Sequence, residues 1–382
     1  MTNYKIIKIF GMHYSGIEDI YLSNPNHNIL SYDDKRNFFR ELKPLHFNNF
    51  SIYMNDLGNH CEDIIFDIKD LQTTWAKENN VNYSDINWKE DILIKQIEIL
   101  KPDVVYFHDI AAMSHELRRS LKSLYPFIKL VIAFRGYPGY SKNLKDVDLI
   151  LACTPRLKAE YERENIKAFL FYHSFDDELV ITNNMNYKNE FVYTGSTGYD
   201  WGSGHFTRYW YLIELIKKTN IKLWVRENQK LEKMYEDYKN KFPKNFQYLK
   251  PITKMFPDRC QGPVFGKDMY EVLQNSKICL NIHTDMAIDC VGNMRMFEAT
   301  GAGTCLLTDT GINMKDLFNE NSEVVTYSSV DECIEKMNFL LNNEKIRQEI
   351  ALNGKKRTLK DHTLKARCNQ FDNEIQLLFK KK

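Results

Sequence analysis

The chain has no apolar run near the ~20 residues that a bilayer-crossing helix requires; its greasiest stretch, residues 130–134, spans only about five. A helical integral membrane protein is therefore not expected. An excess of charge of one sign is also missing. With 52 Lys and Arg against 51 Asp and Glu, the net charge is +1, so no global field would hold a polyanion and nucleic-acid binding is not expected. The 8 cysteines include no CxxC pair, and several sit inside apolar runs where a free thiol packs as a small hydrophobe, which suits a reducing cytoplasm. The amino terminus passes directly into an Ile/Lys alternation with no apolar core or small-residue cleavage site, so export is not expected. Tandem repeats and low-complexity tracts are absent as well. What is present is a globular composition of 43% hydrophobic and 13% aromatic residues. At roughly 150 residues per domain, its 382 residues predict two domains or one large one.

The hydrophobic periodicity alternates between strand and helix. A strand over 5–10 runs into a turn holding Gly11 and Gly16; helix 88–100 then feeds strand 104–107, helix 113–124 feeds strand 128–134, strand 147–152 is followed by helix 156–164, and strand 168–172 follows. Residues 176–190 are polar and rich in asparagine, as linkers often are. The alternation restarts with strands at 191–194, 221–225, 278–282, 304–308 and 323–327, interleaved with helices near 208–218, 269–274 and 294–300 and followed by three closing helices. This pattern predicts an α/β fold of two Rossmann-like, doubly wound parallel-sheet domains facing across a cleft. The expected domains are 1–185, 186–360 and a terminal helix, 361–382, able to pack back on the first domain. In such sheets ligands sit beyond the carboxyl ends of strands. Candidate site residues are therefore residues 11–16, His108 and Asp109, Arg135 and Gly136, His173, residues 195–198, Arg226, His283, and the segment around Arg295 and Glu298.

Residues 291–309 are the most informative stretch. A helix beginning near Asn293 places Arg295 and Glu298 at i and i+3 on one face and stops at Gly301 or Gly303 before a buried strand. Unpaired amides at a helix start, with an arginine beside them, suit a phosphate. A carboxylate one turn deeper can accept the hydroxyls of a ribose. Taken alone, the same pattern also fits an Arg/Glu surface pair on an ordinary helix.

The series Asn293, Arg295, Phe297-Glu298-Ala299, Gly301 and Gly303, followed by the strand end Leu306-Leu307-Thr308-Asp309, resembles the nucleotide-sugar site of GT-B glycosyltransferases, and within them the CgeB-like branch of glycosyltransferase family 1. Supporting matches are the run from Ser276 to His283, and His362, Thr363 and Arg367; the resemblance covers about residues 190–370, and the amino half matches through residues 101–108 and 147–150. The resemblance implies that Glu298 holds the ribose of a nucleoside-diphosphate sugar. It places Arg295 and Asn293 at the diphosphate or sugar, lets the backbone at Gly195 and Ser196 approach phosphates, and makes Arg226 a second cation. Asn281, His283 and Thr308, on the matching strand ends, join the donor-binding set. Where many retaining members carry a second glutamate eight positions before the ribose-binding one, this chain has Cys290. A general base for the acceptor is expected among His13, Glu18, Asp19, His108 and Asp109, with His13 and His108 retained as catalytic candidates alongside Arg295 and Arg226.

Other patterns point elsewhere. Asp146-Val147-Asp148 is a DxD, but it precedes a buried strand rather than closing one, and Cys279 with His283 on a strand would not share a face with further ligands, so no metal is expected. Gly11-x4-Gly16 lacks dinucleotide-fold spacing, which disfavours a dehydrogenase. Trp201, Tyr209, Trp210 and Tyr211 fit core packing better than a stacking platform, and the basic runs at 355–357 and 380–382 fit a solvated face better than lipid contact. The expected function is transfer of a sugar from a nucleotide donor to a glycan, lipid-linked or protein glycoconjugate acceptor in surface-polysaccharide synthesis. The expected location is the cytoplasm, with at most peripheral contact with the inner face of the membrane and no cofactor. The alternatives are an epimerase of nucleotide sugars on the same fold and a non-catalytic sugar- or nucleotide-binding protein.

Overall fold

The structure, a computed structural model, describes residues 3–12, 21–42, 49–139, 144–179, 187–198, 206–227, 229–238 and 250–381. The chain forms two compact units, Met1–Tyr172 with Leu364–Lys382, and His173–Thr363. The change of unit falls at Tyr172, ahead of the asparagine-rich stretch. Its physical basis is that Phe175 already belongs to the second unit: its N–H donates to the His362 carbonyl at 2.9 Å and it bridges Thr363. The return crossing is fixed on the other side by Arg367 Nε, which donates to the Tyr172 carbonyl at 3.1 Å.

The first unit is a parallel sheet of β1 (Lys5–Phe10), β2 (His60–Ile65), β3 (Val104–Phe107), β4 (Leu130–Arg135), β5 (Leu149–Ala152) and β6 (Ala168–Leu170), in the order β2-β1-β3-β4-β5-β6. A parallel sheet is covered on both faces, so its strands read as nearly continuous apolar runs. One face buries Ile7, Ile9, Val105 and Val131 with Leu93, Ile97, Leu121 and Leu157 of three helices. The other buries Tyr4, Ile6, Val104 and Ile132 with Phe50, Met54, Cys368, Phe371 and Ile375, so the terminal helix Leu364–Lys380 completes a core begun by the first strand. Tyr4 Oη donates to Asp372 Oδ1 at 2.8 Å and Asn59 Nδ2 to the same oxygen at 3.0 Å, which satisfies the one carboxylate this helix buries there.

The second unit repeats the plan with β7 (Asn189–Ser196), β8 (Lys222–Arg226), β9 (Cys260–Gln261), β10 (Ser276–Asn281), β11 (Cys305–Asp309) and β12 (Val325–Tyr327), all parallel, in the order β12-β11-β10-β7-β8-β9. In each sheet the strand order reverses beside the first strand, between β1 and β3 and between β7 and β10. These are the points where crevices open beyond strand ends. β2, β9 and the helices Tyr32–Glu41, Phe50–Asp56 and Lys69–Glu78 are absent from the sequence-based expectation. β2 places Glu62 and Asp63 mid-strand and β9 has two residues, so neither shows an apolar period. Among the described residues, no helix is long and apolar enough to cross a membrane.

The helix Glu344–Asp361 lies against the helix Met294–Ala302, where the Thr300 and Thr358 hydroxyls meet at 2.6 Å. Gly354 faces Thr300 of that helix, whose Cγ2 a Cβ would approach to 3.4 Å, and the backbone ahead of β12, where the same Cβ would stand 2.4 Å from the Glu323 carbonyl oxygen. Backbone cannot yield as a flexible side chain can, so Gly354→Ala is expected to cost about 1–3 kcal/mol, read as a lower midpoint in chemical denaturation. An unchanged midpoint would contradict this packing.

Candidate functional site

The site is built at the carboxyl ends of β7, β10 and β11, around the start of the helix Met294–Ala302. Gly303 ends that helix at φ +80°, the left-handed value that glycine adopts without a Cβ penalty. Gly301 packs it inward, since a Cβ there would come within 2.4 Å of the Phe175 ring. Residues 296–302 are consequently buried. At the other end Asn293 occupies the N-cap position without a side-chain capping bond, which leaves first-turn amides for another acceptor.

The Asn293 side chain instead begins a chain of hydrogen bonds. Its Nδ2 donates to Asn281 Oδ1 at 2.8 Å, and Asn281 Nδ2 donates to Thr308 Oγ1 at 3.0 Å. Tyr327 Oη donates to the Asn281 carbonyl at 2.8 Å. Asn281 and Thr308 are therefore buried supports with their polar groups occupied, and they hold Asn293 rather than reach into open space. The parallel register sets Asn281 opposite Thr308, so the support follows from strand pairing.

His283, just past β10, is likewise enclosed. Its Nδ1 lies 2.6 Å from Asp309 Oδ1, its own backbone N–H donates to Asp309 Oδ2 at 2.9 Å, and the Gly292 amide donates to its Nε2 at 3.0 Å. Burial alone would raise the Asp309 carboxyl; His283, which bonds it through ring and backbone, and the Thr308 hydroxyl together hold it below its ordinary value. Asn313 adds a third anchor, donating to the Val291 carbonyl at 2.9 Å and accepting from the Val291 amide at 2.8 Å.

On the helix itself Arg295 Nη1 pairs with Glu298 Oε2 at 2.8 Å, and both side chains are withdrawn from water. Burial pushes the Glu298 carboxyl up, only partly offset by Arg295, while burial, which disfavours the Arg295 charge, is outweighed by Glu298 together with Cys279, Tyr270 and Tyr193, so that Arg295 is raised. The pair is not saturated. Asn293 Oδ1, Arg295 Nε and Glu298 Oε1 are buried and have no hydrogen-bond partner among the described residues. Buried polar atoms without partners are rare in native proteins, and three along one helix start mark a place where a polar ligand completes the bonding.

Across the switch point, β7 ends in Gly195 and Ser196. Gly195 sits at φ +153°, and a Cβ would come 2.9 Å from Tyr193 Oη, which donates to the Ser196 carbonyl at 2.9 Å. Ser196 Oγ accepts from Arg208 Nη1 at 3.1 Å, and Arg208 Nη2 donates to the Ile282 carbonyl at 2.7 Å. Arg208 thus spans the ends of β7 and β10. Its side chain is buried, its Nε has no partner and no carboxylate pairs with it among the described residues. Such an uncompensated cation is costly unless an anion joins it. Arg226 closes β8, and its carbonyl accepts from the Thr197 amide at 3.2 Å; the buried Glu227 beside it binds the Thr197 hydroxyl and the Thr253 backbone and hydroxyl, both at 3.2 Å.

Sequence reasoning missed Arg208, Asp309, Glu227 and Asn313 as site residues. An arginine in the first turn after a glycine-bearing strand end was the available signal for Arg208. The others act through partners some twenty to thirty residues away, which local patterns do not reveal.

In the first unit, His108 follows β3 at the switch point beside β1. Tyr106 Oη bonds its Nδ1 at 2.9 Å, and its ring stacks on Phe134 with centroids 4.8 Å apart. Asp109 accepts from the Ala111 amide at 2.9 Å. His13, Glu18, Asp19 and Trp201 lie outside the described residues. The DxD carboxylates are engaged: Asp146 pairs with Arg118 at 2.8 Å, and Asp148 pairs with Lys122 at 2.8 Å while accepting from the Val131 amide. Tyr209 is fully buried, with its hydroxyl on the Lys250 carbonyl at 2.6 Å and Trp210 edge-on to it, so that cluster is core. Burial pushes the Cys279 thiol up to about 12, so it packs there as a protonated, weakly polar side chain.

Residues 211–373 match the sequence model of a family described as glycosyl transferase-like. A search of curated protein sequences finds no match. Among solved structures, HepE of Anabaena in complex with UDP and glucose is similar over 98% of this chain and 100% of its own, with a TM-score of 0.61 and 10% identity. Sucrose-phosphate synthase from Thermosynechococcus elongatus is similar over 99% of each chain, with a TM-score of 0.59 and 10% identity. The lipopolysaccharide outer core galactosyltransferase WaaB in its apo form covers 99% of this chain and 100% of its own, with a TM-score of 0.53 and 14% identity. At these identities the likeness establishes the fold, which is GT-B.

Because the Asp309 carboxyl is depressed in the folded state, it contributes stability above its ordinary value of 3.8, and that contribution is lost as pH falls through the folded value. Asp309→Asn is expected to lower stability at pH 7, with the difference from wild type shrinking below about pH 4. Urea denaturation across pH measures this; a deficit that stays constant with pH would contradict it.

Proposed function

We propose that the chain is a glycosyltransferase that takes a sugar from a nucleoside diphosphate held by the carboxyl-terminal unit and passes it to an acceptor on the amino-terminal unit. The observation that carries this reading is the set of bondless buried atoms, Asn293 Oδ1, Arg295 Nε and Glu298 Oε1, set at an uncapped helix start. An oxygen such as Glu298 Oε1 accepts from a ribose hydroxyl. First-turn amides, Arg295 and the buried Arg208 donate to diphosphate oxygens. Arg226 and the backbone at Gly195 and Ser196 complete the proposed phosphate side.

As the glycosidic C–O bond lengthens, negative charge grows on the leaving diphosphate and positive charge on the sugar ring. Cations fixed before the reaction stabilise that leaving group without reorganising, usually the largest contribution to catalysis of this kind. In this reading Arg295 and Arg208 do this. In this reading guanidinium groups rather than a divalent ion neutralise the diphosphate, so EDTA is expected to leave turnover unchanged. His108, oriented by Tyr106, and His13 are the proposed acceptor-side groups. The match of residues 211–373 to a glycosyl transferase-like family supports the reaction class. The resemblance of residues 293–303 to the CgeB-like branch supports a glycan, lipid-linked or protein glycoconjugate acceptor and a role in surface-polysaccharide synthesis in the cytoplasm, with at most peripheral contact with the inner face of the membrane.

The test is a thermal-shift panel of UDP-, GDP-, dTDP-, ADP- and CDP-sugars. A matching donor at 100 times its Kd should stabilise the fold by ~2.7 kcal/mol. Arg208→Ala should abolish the shift while leaving the protein folded; an undiminished shift would contradict the site. Product analysis by NMR separates the reaction classes: interconversion of free nucleotide sugar without acceptor would indicate an epimerase, and binding without turnover a non-catalytic protein.

A further inference from the structure

His283 stands in the site as a side chain whose two nitrogens have opposite assignments. The amides of Gly292 and Asn293 both point at Nε2, at 3.0 and 3.4 Å. An amide can only donate, so Nε2 carries the lone pair. The proton of the neutral ring therefore sits on Nδ1, where it donates to Asp309 Oδ1 at 2.6 Å. Asp309 is held in turn by the His283 backbone amide, which fixes both the plane of the ring and the direction in which Nε2 faces.

The turn that Nε2 receives is one the chain does not favour by itself. Gly292 sits at φ +132°, a value open to glycine and to few other residues, but Ile288, an exposed β-branched residue earlier in the same loop, is strained at φ +57°. Such conformations persist only when their surroundings hold them. Asn313 holds Val291, the Asp289 carbonyl accepts from the Ile312 amide at 2.8 Å, and His283 holds the two residues that lead into the helix. We infer that His283 is a positioning residue for the donor: in the Nδ1–H tautomer it presents the Gly292–Asn293 turn so that the amides of Met294 and Arg295 face the nucleotide diphosphate, while Asn293 Oδ1, an acceptor, is left for a hydroxyl of the donor. Earlier grouped with residues that contact the donor, His283 acts instead through the turn. The inference rests on the donor-site reading given above.

Two substitutions separate the ring's two bonds. Glutamine carries its amide oxygen to the position of Nε2 and can still accept from Gly292 and Asn293; asparagine places its amide nitrogen near Nδ1 and keeps only the bond to Asp309. With UDP, GDP, dTDP, ADP and CDP as probes, the nucleotide that binds wild type should bind His283→Gln within about threefold and His283→Asn about tenfold or more weaker, the worth of the lost acceptor for two amides. In turnover the Asn variant should raise the donor KM more than it lowers kcat, because the bond is equally present before and during the reaction. Equal affinities in the two variants, or a greater loss in His283→Gln, would overturn the inference.

Long-range 1H–15N NMR of the wild-type protein, with the His283 signals assigned through the variants, should show a protonated Nδ1 and an unprotonated Nε2; the reverse pattern would also overturn it. If wild type binds none of the five nucleotides, the donor-site reading fails, and the spectrum still decides whether His283 holds the turn.

Discussion

Glu298 is 2% exposed, and a carboxyl that far from water is tolerated only when its oxygens are bonded. Arg295 satisfies one oxygen at 2.8 Å, and the other has no partner among the described residues. Removing one member of a buried pair typically costs about 3–5 kcal/mol, whereas replacing both by apolar residues is often neutral. Stability alone would favour leucines here. A half-bonded pair retained at the end of a helix is better understood as a site whose bonding is completed by a polar molecule. The arrangement around it makes sense as the means of keeping these side chains in place while that molecule is absent.

Those means form layers. Strand pairing puts Asn281 beside Thr308, which aims the Asn281 carboxamide at Asn293. Asp309 orients His283, and His283 and Asn313 hold the loop that delivers the helix start. Gly301 and Gly354 let Phe175 and the Glu344–Asp361 helix press the helix from behind. Among the described residues, each side-chain nitrogen and oxygen of Asn281, His283, Thr308, Asp309 and Asn313 has a hydrogen-bond partner, whereas Asn293, Arg295, Glu298 and, across the β7/β10 switch point, Arg208 each keep one buried atom that has none. The division between residues that hold and residues that remain available is what a binding site needs, since flexible donors lose affinity to ordering entropy.

Much of the fold was legible because its signals are local. Alternating apolar strands and helices revealed ten of the strands, and of the two glycines offered as the end of the helix, Gly301 and Gly303, the second is the observed C-cap. The spacing of Asn293, Arg295 and Glu298 likewise identified the helix whose atoms prove to be under-bonded. What stayed hidden depends on distant pairing. β2 has its polar Glu62 and Asp63 mid-strand, and the change of unit at Tyr172 depends on a bond from Phe175 to His362. The resemblance groups Asn281, His283 and Thr308 with the donor-binding residues, and the bonds from Asn281 to Thr308 and from His283 to Asp309 depend on strand pairing that no local pattern displays. Arg208 went unremarked since nothing in one helix turn shows that its neighbours offer carbonyls and no carboxylate.

The most direct measurement is a crystal structure of the chain with the nucleotide sugar that stabilises it. The account predicts a ribose hydroxyl within hydrogen-bonding distance of Glu298 Oε1, and diphosphate oxygens on the amides of Met294 and Arg295 and on the guanidinium of Arg208. Nucleotide bound elsewhere, with Glu298 Oε1 and Arg208 Nε still bare, would contradict it.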